Sequence, residues 1–158
     1  MEWIIDGHNL IPHVRGLSLA DLDDEQALIE LLIQFCRLKH DRAVVFFDRA
    51  APGHAGERRF GAVRAIFVPQ VQTADSAIAA YLHKNGSRLR NDTLVSSDRQ
   101  VQASGRPLHM QVLSSDDFSR KLQEALNQPA SPEAEKPLSE EEVRHWEELF
   151  KQHHNNQE

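Results

Sequence analysis

Three short apolar runs in this chain each lead into an aspartate, and that feature restricts the folds open to it. Glu2-Trp3-Ile4-Ile5 leads into Asp6, Ala43-Val44-Val45-Phe46-Phe47 into Asp48, and Thr93-Leu94-Val95-Ser96-Ser97 into Asp98. The runs at 2–5 and 43–47 are continuous rather than alternating, as in strands covered on both faces. A fourth acid, Asp75, lies in Thr73-Ala74-Asp75-Ser76, where helical spacing begins. In an open α/β sheet the ligand crevice lies beyond the carboxyl ends of the strands, so acids remote in sequence meet there. Clustered carboxylates repel and raise one another's pKa unless a cation neutralises them. The reading that follows is a divalent metal site, and hence phosphate chemistry.

The intervening segments read as helices. Leu22 to Leu38 places Leu22, Ala27, Leu28, Leu31, Leu32 and Phe35 at helical spacing. Asp21, Asp23, Asp24 and Glu25 favour its N-terminal turn through the helix dipole. After the strands at 2–5 and 43–47, Ala65 to Val68 is a third, stopped by Pro69. From Thr73, the residues Ala77, Ile78, Tyr81 and Leu82 mark a helix ending before Asn85-Gly86. Thr93 to Ser96 is a fourth strand and His109 to Leu113 a fifth. Ser114 or Ser115 then caps a helix carrying Phe118, Leu122 and Leu126. Strands alternating with helices imply an α/β fold with a central parallel sheet, right-handed crossovers and helices on both faces. Gln128 to Leu138, with Pro129, Pro132 and Pro137, reads as a linker. Beyond it, Ser139-Glu140-Glu141-Glu142 forms a capping box ahead of the apolar stripe Val143, Trp146, Leu149 and Phe150. The expected organisation is a domain over 1–127, a linker over 128–138 and an amphipathic helix over 139–153. That helix either folds back onto its own domain or mediates self-association or a protein contact.

The net charge of -6 is unevenly spread. Arg49 to Arg106 holds nine Lys/Arg against four Asp/Glu, two of which are Asp75 and Asp98. Residues 129–158 hold eight acids against three bases and account for most of the deficit. A basic middle around an acidic centre suits a polyanion whose scissile phosphate meets a metal. The single cysteine, Cys36, excludes an internal disulfide or a cysteine-based zinc cluster, and its apolar helical setting buries it. The longest apolar stretch, 27–35, is broken by Glu30 and Gln34, so no membrane span is expected. With no secretory signal ahead of the first strand, the chain is expected to be cytoplasmic.

Each acid has a structural explanation when taken singly. Asp6-Gly7 is a common turn pair, Asp98 fits a helix cap, and Asp75 fits a first-turn acid. Their joint placement at three strand ends and one helix start is what points to a site. Magnesium and manganese take hard oxygen ligands and retain several waters, so a few carboxylates suffice. Asp6 and Asp98 are expected as direct ligands, with Asp75 completing the site directly or through water. Asp48 is expected to hold a metal-bound water or to orient a neighbour. Asn9 is expected to donate to phosphate or fix a carboxylate, and Ser97 to hydrogen-bond the same cluster. Among nine histidines, His8 stands out because it lies between Asp6 and Asn9.

Ile4-Ile5-Asp6-Gly7-His8-Asn9-Leu10-Ile11, Val45-Phe46-Phe47-Asp48, Thr73-Ala74-Asp75-Ser76-Ala77-Ile78 and Val95-Ser96-Ser97-Asp98-Arg99 together resemble the NYN domain, YacP-like branch, of the PIN-like nucleases. The resemblance covers roughly residues 1–127. It implies a PIN-like three-layer fold with strand order 3-2-1-4-5, a magnesium or manganese site, and RNA as substrate. It also implies association with ribosomes and messenger RNA cleavage. The family's acidic positions fall on Asp6, Asp75 and Asp98, with Asp48 and Asn9 as companions. One departure is that Phe67 to Gln72 carries Gln70 and Gln72 where acidic residues are often found in the family.

The basic loop Gly53 to Phe60 brings Arg58 and Arg59, which are expected to grip phosphates, while Phe60 either stacks on a base or anchors the loop. Arg99, directly after Asp98, is expected to steady charge developing on the phosphate. Lys84, Arg88 and Arg90 form a second basic cluster further from the expected crevice. The leading functional reading is a metal-dependent endoribonuclease that uses metal-activated water. Its rival is a catalytically inactive RNA-binding or ribosome-associated module. A small-molecule phosphatase ranks below both, because Phe47-Asp48-Arg49-Ala50 supplies no Asp-x-Asp pair.

Overall fold

The two-sided apolar runs become the middle of a six-stranded sheet. The computed structural model describes residues 1–17 and 23–127, together with Arg144 and Leu149. Strand β1 (Glu2–Asp6) is buried along its whole length, with β2 (Arg42–Ala50) parallel on one side and β5 (Thr93–Val95) parallel on the other. The register pairs Ile4 with Val44 and Leu94, and Ile5 with Val45 and Val95. Because strand side chains alternate, Trp3, Ile5, Ala43, Val45 and Phe47 enter one core while Ile4, Val44 and Phe46 enter the other.

Helix α2 (Asp23–Lys39) and α5 (Ser115–Asn127) cover the first face with Leu28, Leu32, Phe35, Phe118 and Leu122. Trp3, Phe35 and Phe118 meet there as a triad with ring centroids 5.2–5.4 Å apart. Full burial of side chains this large contributes roughly 2–3 kcal/mol each, so this face anchors the fold. Helix α3 (Ala74–Asn85) and α4 (Arg99–Gly105) cover the second face through Ile78, Leu82 and Val101. Thr73 caps α3 by accepting the Ser76 N–H, and Ser114 caps α5 by accepting the Asp117 N–H. A short helix, α1 (Gly7–Leu10), follows β1 directly. No described helix is long and apolar enough to cross a membrane.

The full order is β3-β4-β2-β1-β5-β6, with β3 at Gly56–Phe60, β4 at Val63–Pro69 and β6 at Gln111–Leu113. The five parallel strands keep the expected 3-2-1-4-5 arrangement. The sixth corrects the expectation, since the supposed loop to Phe60 is a strand running antiparallel to β4. Gly61-Ala62 makes a two-residue hairpin turn, with Gly61 at φ 62. Phe60 is buried in the first core at 2% exposure, so it anchors this strand instead of stacking on a base. Strand β2 also outlasts its apolar run. Its pairing with β4 slips between Phe47 and Ala50, and Asp48 and Arg49 occupy the irregularity, Arg49 at φ 57. The expected linker at 128–138 and most of the expected helix at 139–153 lie outside the described residues. Within that helix Leu149 is described, and it packs against the first core.

Candidate functional site

Strand β1 lies between β2 and β5, so the carboxyl ends of these strands open one crevice where the sheet order reverses. Asp6 closes β1 and is 5% exposed. Ser96, just past β5, donates its hydroxyl to Asp6 Oδ2 at 3.2 Å and accepts the Asp98 N–H at 3.0 Å. One buried serine therefore fixes Asp6 and Asp98 relative to each other. Asp98 also caps α4 by accepting the Gln100 N–H at 2.8 Å. The cap and the site are compatible, because a cap uses one carboxylate oxygen and leaves the other. Asp75 sits in the first turn of α3 at the rim.

The electrostatics show that these acids share a crevice. Burial lifts the Asp6 carboxyl to about 6, and Asp75 and, more weakly, Asp48 push it the same way against hydrogen bonds from Ser96 and the Asn9 backbone. Burial raises Asp75 as well, followed by repulsion from Asp98 and Asp48. All four predicted acids therefore repel within one neighbourhood. Among the described residues, no three acidic, histidine or cysteine side chains converge on a single ion position. The donor chemistry still fits magnesium or manganese, which bind through one or two carboxylates and complete their shells with water. Asp6 and Asp98, tied together through Ser96, are the residues that could hold such an ion, with Asp75 near them.

Asp48 is committed to a partner that the sequence did not reveal. His8 Nδ1 hydrogen-bonds Asp48, and His8 Nε2 lies 3.2 Å from Glu25 Oε1 in the first turn of α2. Burial pulls the His8 imidazolium down, but hydrogen bonds to Glu25 and Asp48 more than offset it and its pKa is raised. Stability contributed by a group with a raised folded pKa is full below about 6.5 and is lost as pH rises through the raised value. The metal-free protein should accordingly lose more melting temperature between about pH 6 and 9 than His8→Gln does. Parallel curves for the two proteins would remove the charged clamp.

Asn9 fixes the Asp6 carboxylate through its backbone, and its side chain has a second task. Its Oδ1 accepts the Ser97 N–H at 2.8 Å and the Ser115 hydroxyl at 2.6 Å, so it joins α1, the β5–α4 turn and the start of α5. Ser97 accepts the Ser115 N–H at 2.9 Å and belongs to that brace; the serine on Asp6 is Ser96. Sequence reasoning missed Ser96, Glu25 and Ser115. Arg99 opens α4 beside Asp98, exposed. Arg58 is half-buried, lies over the Phe67 ring at 4.7 Å and donates to the His54 carbonyl at 3.3 Å. Arg59, the next residue on β3, is exposed on a groove whose rim includes Glu2 and Arg42 at the opposite ends of β1 and β2. Cys36 is buried, and burial followed by Asp41 lifts its thiol to about 12, so it offers no nucleophile near neutrality.

A crevice of mutually repelling acids at the ends of β1, β2 and β5 is what the four motifs led one to expect. Residues 3–151 match the YacP-like NYN domain. The chain belongs to that family. Rae1 (YacP) from Bacillus subtilis has a similar structure, with a TM-score of 0.65 and 19% identity over 80% of this chain and 75% of that one. A tryptophan-to-leucine mutant of Rae1 gives the same TM-score and identity over 79% and 76%. At that identity the likeness establishes the shared PIN-like fold. No curated protein matches the chain in sequence. The family match extends past residue 127 and takes in Leu149, which packs on the core of this NYN domain.

Proposed function

We propose that this YacP-like NYN protein is a metal-dependent endoribonuclease. The observation that carries the reading is the buried Asp6 carboxylate, linked through Ser96 to Asp98 and repelled by Asp75 and Asp48. A site that concentrates negative charge in this way is suited to a divalent cation. When bound, magnesium or manganese supplies an activated water and stabilises the leaving oxygen of a phosphodiester. Asp6 and Asp98 would hold it, and the Asn9–Ser97–Ser115 brace keeps Asp98 and the start of α5 in place. His8, pinned by Glu25, holds Asp48 at the rim. Arg99 is positioned beside Asp98 to meet a phosphate oxygen. The family resemblance extends the proposal to messenger RNA engaged on the ribosome.

The test is incubation of a mixed RNA pool with magnesium or manganese across a concentration series, with a chelator control. Internal cuts that require the metal and leave linear phosphate ends are expected. Cyclic phosphodiester ends would mean that the ribose hydroxyl attacks in place of water, and that result would overturn the mechanism. A second reading, RNA binding without cleavage, has one observation in its favour: no three acid or histidine donors converge among the described residues. RNA retained but left intact at every metal concentration would establish it.

A further inference from the structure

Two basic clusters that are remote in sequence meet at the edge of the sheet opposite the carboxylates. A groove of about 800 Å³ is bounded by the starts of β1 and β2, the Gly61-Ala62 turn, the end of α3 and the residues before β5. Arg42, Arg59, Lys84 and Arg88 stand on it, all exposed and none in an ion pair among the described residues. The acids of the groove are already engaged. Glu2 takes Arg64 at 3.3 Å and the Tyr81 hydroxyl at 2.5 Å, Glu57 takes Arg64 at 3.3 Å, and Asp92 accepts the Glu2 N–H at 2.8 Å. Four cations are left facing solvent in a chain whose net charge is -6.

We infer that this groove is a second RNA-contact site, binding backbone phosphates of the RNA cleaved at Asp6 and Asp98. The inference rests on the endoribonuclease reading. A phosphate backbone suits the groove better than a nucleotide, because the surfaces that read a base are occupied. The Tyr81 hydroxyl both donates and accepts internally, Arg64 lies over its ring at 5.7 Å, and Phe46 meets the ring at 5.6 Å. Asn85 spends its amide on the Tyr81 carbonyl. Helix α3 links the two sites, with Asp75 in its first turn and Lys84 in its last. At ~1.5 Å per residue its length spans a few nucleotides of extended strand.

The experiment measures binding of a labelled single-stranded oligouridylate in chelator across a potassium chloride series. Arg59→Gln combined with Arg88→Gln should flatten the slope of log affinity against log salt by about 1.4, from roughly 0.7 per lost phosphate contact. Affinity at ~0.1 M salt should fall roughly tenfold or more. Arg120→Gln, on the exposed face of α5, should leave the slope unchanged. Lys84→Gln combined with Arg88→Gln is an independent second route should the first pair fold poorly. A wild-type slope in either well-folded pair would overturn the inference. Loss of uridine monophosphate or inorganic phosphate binding with oligouridylate binding intact would also overturn it, assigning the groove to a small ligand. Wild-type cleavage is scored separately. Cleavage with an unchanged slope removes only the groove, whereas slope loss without any cleavage removes only the nuclease.

Discussion

Asp6→Asn is expected to lower metal-dependent RNA cleavage by more than about a hundredfold, because groups that merely orient a metal ligand already contribute 10–100-fold. The same change should stabilise the metal-free protein. The Asp6 carboxyl titrates at about 6 when folded, against an ordinary value of 3.8. Between those values the native state holds its proton longer than the unfolded chain does, so stability falls as pH rises through that window. The full penalty, about 3 kcal/mol, then persists at higher pH. Asparagine removes the charge and keeps an oxygen for the Ser96 hydroxyl. In chelator at about pH 8 the variant should melt roughly 5–10 °C above wild type. Added magnesium or manganese should raise the wild-type melting temperature more than that of the variant, since binding to the native state stabilises it. Equal metal-induced shifts would place the cation elsewhere. Undiminished cleavage by Asp6→Asn would end the proposed mechanism.

Gly7→Ala is expected to be the most damaging single-methyl change near the site. A Cβ at position 7 would lie 2.5 Å from Phe47 Cε1 and 2.8 Å from the Phe46 carbonyl oxygen. Neither group can retreat cheaply. Phe47 is fully buried and stacked on Phe67 at 5.5 Å, and Phe46 belongs to the β1–β2 ladder. Overpacking of this kind costs about 2–3 kcal/mol. Relief would come from separating α1 from β2, which carry His8 and Asp48. A misplacement of about 1 Å in such a site lowers turnover on the order of a hundredfold. Urea unfolding should therefore show a lower midpoint, with cleavage falling further than stability alone explains. A wild-type midpoint would mean that β2 yields freely and that the glycine is dispensable.

Gly7 also shows where local reading stops. Asp6-Gly7 suggests a turn that exploits glycine's backbone freedom, yet Gly7 begins a helix and is absent from the positive-φ positions. Its requirement is for space against β2, a strand that returns some forty residues later in the chain. The same limit explains Glu25, whose place among first-turn acids of α2 was legible while its bond to His8 was not.

By itself the sequence determined the five strands, their parallel pairing and the acids where three of the apolar runs stop, while their order was implied by the family resemblance. Burial on both faces demands unbroken apolar runs, and a site beyond strand ends demands its acids where those runs stop. Only the tertiary structure decided the rest. Strand β3 pairs through backbone hydrogen bonds at an exposed edge, which leaves little mark on side-chain pattern beyond Phe60. Alternation along that strand turns Arg58 onto Phe67 and Arg59 into the opposite groove, although the two are neighbours in the chain. Which serine binds Asp6, what holds Asp48, and which cations share a groove all depend on contacts between distant segments. Those contacts exist only once the sheet has closed.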